Sequence, residues 1–73
     1  MTPADLAIAK AIRDSKLIEE PRGWIVQLRD AETGLMYDAT KHQPYEEGRR
    51  WMEQWRRRTV AALLENTESE ATQ

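Results

Sequence analysis

Apolar residues recur with two different periods along this chain, and the period changes twice. In the first stretch Ile8, Ala11, Ile12 and Ser15 follow i, i+3, i+4 spacing, which places them on one face of a helix. That helix is expected from Pro3 to Ser15. Thr2 suits the N-cap, Pro3 suits the first helical position, and Asp5 completes a capping box three residues after the cap. Leu17 and Ile18 extend the apolar surface past the helix. Pro21 forbids further helix, and Gly23 marks the break.

The period then drops to two. From Trp24 to Arg29, Trp24, Val26 and Leu28 point one way while Ile25, Gln27 and Arg29 point the other. The run 30–34 is a turn, because Asp30 can bond its own backbone and Gly34 supplies a positive φ. Leu35 to Thr40 returns, with Leu35, Tyr37 and Ala39 on one face. This pairing predicts a β-hairpin, and an isolated hairpin is barely stable without a helix to cover it. An outer hairpin edge could also take an extended partner segment as an added strand. Arg29 and Lys41, near the strand ends, read equally well as protection of that edge.

Helical spacing resumes from Pro44 to Glu65. Tyr45, Gly48, Trp51, Met52, Trp55, Thr59, Ala62 and Leu63 form the apolar stripe that would cover the hairpin. Glu46, Arg49, Arg50, Glu53 and Arg57 lie opposite it. Glu46 with Arg50, and Glu53 with Arg57, have the favourable i, i+4 order. Gly48 marks either a close approach of the hairpin or a kink. Trp24, Tyr37, Tyr45, Trp51 and Trp55 are the expected core aromatics. The resulting fold class is α+β: an N-terminal helix, a β-hairpin and a long C-terminal amphipathic helix form one small domain over 1–65. An acidic tail, 66–73, is expected to be disordered because it holds almost no apolar residue.

Composition narrows the possible chemistry. The chain has 73 residues, no cysteine and one histidine, so neither a disulfide nor a tetrahedral nitrogen–sulfur zinc site is available within it. No metal and no cofactor are expected. His42 reads as a solvated loop residue, and no serine or acid pair has the setting of a nucleophile and base. Asp30 and Glu32 read as a turn former and its neighbour. The chain is therefore expected not to be an enzyme. No apolar run is long enough for a membrane span, and no export leader is evident, so a cytoplasmic monomer is expected. Eight arginines against three lysines suggest GC-rich coding, as in many bacteria and their phages.

The net charge of -2 conceals a strong asymmetry. From Arg49 to Arg58 there are five arginines and one acid, a local +4, followed by Glu65, Glu68 and Glu70. Three readings fit that segment: a solvated helix face with internal ion pairs, a protein-binding face, or a surface for nucleic acid. The protein-binding candidates are Arg29, Arg49, Arg50, Arg56 and Arg57.

Two resemblances bear on the partner. Pro44-Tyr45 followed by Arg50-Trp51-Met52-Glu53-Gln54-Trp55-Arg56 resembles the C-terminal half of ribosome modulation factors, which implies ribosome binding. The spacing from Pro44-Tyr45 to Trp51 is shorter than in that family, and the glycines between the tryptophans are absent. The whole chain is similar in size and composition to small host-takeover proteins of phages. One such group, from lytic Xanthomonas phages, binds host RNA polymerase. That likeness implies a non-catalytic regulator that occupies a polymerase surface and interferes with sigma factor. The alternatives are a nucleic-acid or ribosome-binding modulator using the Arg49 to Arg58 segment, and an inhibitor of a host defence nuclease.

Overall fold

A computed structural model describes the backbone of residues 1–71 and the side chains of residues 1–66. The order is α1 (Pro3–Arg13), β1 (Ser15–Glu20), β2 (Gly23–Arg29), β3 (Met36–Asp38) and α2 (Tyr45–Ala71). The fold class is α+β. Of the expected disordered tail at 66–73, the backbone of 66–71 belongs to α2; the rest of that expectation lies outside the described residues.

α1 starts as its sequence requires. The Asp5 amide donates to Thr2 Oγ1 at 3.1 Å, and the Thr2 amide donates to Asp5 Oδ2 at 3.3 Å. The helix ends at Arg13, two residues before the expected limit. Asp14 caps it, and Ser15 is already in a strand. The Ser15 hydroxyl donates to the Ala11 carbonyl at 2.7 Å, satisfying one of the acceptors that a helix end leaves open.

The principal departure from expectation is β1. The sheet has three strands in the order β1-β2-β3, all antiparallel, so the expected hairpin supplies two of the three. Neighbouring Leu17 and Ile18 spoil any period-two pattern, and Lys16, Glu19 and Glu20 are charged. Pairing with β2 makes this segment a strand, through a two-residue turn at Pro21 and Arg22. β3 is three residues long, shorter than expected. Beyond it the chain still serves β2. The Ala39 amide donates to Val26 O at 2.9 Å, Thr40 Oγ1 accepts from the Val26 amide at 3.1 Å, and Trp24 and Gln43 exchange bonds of 2.8 and 3.0 Å. The expected turn forms as read: Asp30 Oδ1 accepts from the Glu32 amide at 2.9 Å, and Gly34 has φ +75°.

α2 lies over one face of the sheet. Val26, Leu28 and Met52 form the buried cluster, with Leu17, Ala39 and Trp55 packed against it. Gly48 is a packing contact: an added Cβ would stand 2.9 Å from Leu17 Cδ1, so the helix approaches β1 closely. α2 touches β1 and β2 but not β3. That offset corrects the expected core. Tyr37, on the uncovered β3, is exposed, and so are Tyr45 and Trp51, which lie beside the contact line through Gly48 and Met52. Trp24 and Trp55 are half-buried, and Trp24 meets Tyr45 edge to face at 4.9 Å.

The face of α1 is corrected as well. Ala7 and Ala11 are buried, whereas Ile8 and Ile12 are 46% and 52% exposed. α1 packs chiefly on α2, and small side chains let the two helices approach. The large apolar residues are displaced to the flanks of that contact.

Candidate functional site

The structure divides the five candidate arginines by what they already hold. Arg29 is a clamp: its Nε donates to Asp14 Oδ1 at 3.1 Å and its Nη1 to the Gly34 carbonyl at 2.6 Å. Arg56 is another. Its Nε donates to Ser15 Oγ at 2.6 Å and its Nη2 to the Ser15 carbonyl at 3.3 Å. Arg49 pairs with Glu46 at 3.0 Å and Glu53 at 2.7 Å. These acids hydrogen-bond and attract its guanidinium, Glu46 more strongly, and hold its pKa above the ordinary value. The expected pairs of Glu46 with Arg50 and Glu53 with Arg57 do not form, because Arg49 takes both acids. Arg50 and Arg57 are exposed and have no hydrogen bond or ion pair among the described residues.

Arg57 stands at the rim of a groove between the two helices. Ile8, Ala11 and Ile12 of α1 form one wall, and Val60, Ala61 and Leu64 of α2 the other. Glu53 and Arg56 complete the rim, and the space measures about 520 Å³. The volume is within the range of small-molecule sites (about 300–1,000 Å³), but this groove is an open furrow between two helices. Its walls offer apolar contact and no nucleophile. On α2, Arg50, Arg57, Ala61 and Leu64 follow one another at three- to seven-residue steps along one side, so cationic surface leads into apolar surface. Sequence patterning missed the groove because it places Ile8, Ala11 and Ile12 on one face of α1 without showing which of them meets α2. The signal available was the row Ala4, Ala7, Ala11, whose small residues suit a close helix contact better than isoleucine.

The end of α1 carries the densest charge cluster. Asp14 receives Lys10 Nζ at 3.2 Å, Arg13 Nε at 3.2 Å and Arg29 Nε at 3.1 Å. Burial is the largest single influence on its carboxyl and raises the pKa. Hydrogen bonds from Arg13 and Lys10, with their charges, outweigh it, so the carboxyl titrates below its ordinary value. A lowered folded-state pKa stabilises the fold above the unfolded-state value, about 3.9, and that contribution fades as the pH falls below it. Asp14→Asn is therefore expected to cost about 1 kcal/mol at neutral pH and progressively less towards pH 2. Urea titrations of both proteins across that range test this; a constant difference would refute it.

His42 lies exposed in the loop before α2, as expected, with Nε2 3.0 Å from Glu20 Oε1. Among the described residues no group of three or more metal-ligating side chains converges, and no helix is long and apolar enough to cross a membrane. No protein-family profile, curated protein or solved structure matches this chain.

Proposed function

We propose that this chain is a non-catalytic, protein-binding regulator that docks an apolar helix or loop of its partner in the α1–α2 groove. The observation that carries this reading is the exposure of Ile8 and Ile12 beside a furrow also lined by Arg57, which has no ion pair among the described residues. A matching partner segment presents apolar side chains to the furrow and carboxylates to Arg57 and Arg50. Such a segment would lose little on desolvation and gain charge-assisted bonds at the rim. In its most specific form the partner is bacterial RNA polymerase in the host cytoplasm. The regulator would then interfere with sigma factor, as the likeness in size and composition to phage host-takeover proteins implies. The nucleic-acid reading has less support, because Arg49 and Arg56 are already engaged within the fold.

Purified RNA polymerase holoenzyme titrated with the nuclease-treated protein tests the proposal. Ile12→Asp, and separately the pair Arg50→Glu and Arg57→Glu, are expected to weaken binding at least tenfold (about 1.4 kcal/mol) while leaving the circular dichroism unchanged. Unaltered binding by both would rule out the groove as the docking site. A tight affinity for bare DNA or RNA that collapses with added salt would replace a protein partner by a nucleic acid.

A further inference from the structure

Among the described residues β1 leaves one long edge of the sheet without a partner strand, and its hydrogen-bonding parity follows from its neighbours. On β2, Trp24 and Val26 direct their backbone bonds towards the 39–43 side. The Arg29 amide donates to the Asp14 carbonyl, so the odd-numbered residues of β2 face β1. In the observed register these face Lys16, Ile18 and Glu20. Ser15, Leu17 and Glu19 therefore turn their backbone groups outward. The Ser15 carbonyl is already taken by Arg56. Leu17 and Glu19 remain, each with a donor and an acceptor facing out.

We infer that this edge pairs with the same edge of a second copy of the chain, joining two three-stranded sheets into one of six strands. Antiparallel pairing about a twofold axis normal to the sheet keeps each face on its own side. Opposed residues must then have the same parity. The register that sets Leu17 against Glu19 of the second copy forms four backbone hydrogen bonds and uses every free outward group of that segment. The next register, Leu17 against Leu17, would demand the Ser15 carbonyl that Arg56 occupies.

The favoured register is also the one that the side chains select. It sets Lys16 opposite Glu20 of the other copy, twice by symmetry, with Ile18 opposite Ile18 between the two pairs. These are the non-hydrogen-bonded positions of the new ladder, where opposed side chains stand closest. Lys16 and Glu20 are exposed and Ile18 is half-buried in the single chain. Glu20 gives one oxygen to His42 and keeps the other for a lysine. The self-complementary order Lys16-x-Ile18-x-Glu20 thus turns charges that would repel many strands into a code for one. This surface is separate from the α1–α2 groove, so the dimer and the partner complex stand or fall independently.

Sedimentation equilibrium of the full chain tests the pairing. A short edge contact is at the weak end of interfaces, so dissociation is expected roughly in the micromolar range. Lys16→Glu alone and Glu20→Lys alone each oppose like charges and should weaken the dimer about tenfold. The double reversal restores opposite charges and should recover the wild-type constant. Far-ultraviolet circular dichroism verifies that each variant is folded. A wild-type chain that stays monomeric at millimolar concentration overturns the inference, as does a dimer indifferent to the single reversals or not rescued by the double one.

Discussion

Arg56→Ala is expected to lower the unfolding free energy by about 2–3 kcal/mol, whereas Arg57→Ala, one position on, should change it by less than about 0.5 kcal/mol. Both arginines belong to the same charged segment, yet their surroundings differ. Arg56 reaches from α2 to Ser15, where its Nε donates at 2.6 Å to the hydroxyl and its Nη2 at 3.3 Å to the carbonyl. Ser15 is 2% exposed, so water does not readily replace those bonds. Its hydroxyl also donates to Ala11, so the guanidinium holds the end of α1, the start of β1 and the middle of α2 together. Truncation leaves buried acceptors without a donor and removes the aliphatic stem from the helix interface. In a domain of this size each kcal/mol is about 4–8 °C of melting temperature, so a fall of roughly 10–20 °C should be visible by calorimetry. A double-mutant cycle with Ser15→Ala should return a coupling of about 1 kcal/mol or more. If Arg56→Ala and Arg57→Ala melt together, the clamp is not a stabilising feature.

That contrast also marks how far the sequence could be read. Local signals were legible: Thr2 with Asp5, Asp30 with Glu32, and Gly34 each act within five residues of chain, and each forms as expected. β1 was not legible, because Leu17 and Ile18 are adjacent and its strand character depends on pairing with β2. Missing it displaced the sheet centre by one strand. It therefore misplaced Tyr37, which is 49% exposed because α2 covers β1 and β2. The contact face of α1 was hidden for a different reason: periodicity identifies an apolar face but does not reveal that two helices can meet through alanine, with Ile8 and Ile12 at the flanks. The candidate arginines stand out in the sequence only as a group. Their division into engaged and exposed was hidden, since Arg56 and Ser15 are 41 positions apart, and Arg29 and Asp14 are 15 apart.

The other large effect is expected at Gly23. Gly23→Ala should cost about 3 kcal/mol, against about 1 kcal/mol for Gly34→Ala, although both glycines have positive φ. At Gly34, φ is +75° and nothing lies within 4 Å of an added Cβ, so only backbone strain is incurred. At Gly23, φ is +132° and the new methyl would stand 3.0 Å from the Gln43 carbonyl oxygen and 3.3 Å from its nitrogen. That backbone cannot retreat cheaply, because Gln43 exchanges hydrogen bonds of 2.8 and 3.0 Å with Trp24, the residue next to the glycine. Relieving the contact therefore breaks the bridge that holds the segment leading into α2, or distorts the Pro21–Arg22 turn that joins β1 to β2. For a small domain whose whole stability is on the order of 5 kcal/mol, a 3 kcal/mol loss should leave a measurable unfolded fraction near 37 °C. Urea titration of the two variants measures the difference, which combines the contact with Gln43 and the greater strain of an L residue at φ +132° than at +75°. Equal losses at Gly23 and Gly34 would show that Gln43 yields, and that the junction between the sheet and α2 is softer than its hydrogen bonds indicate.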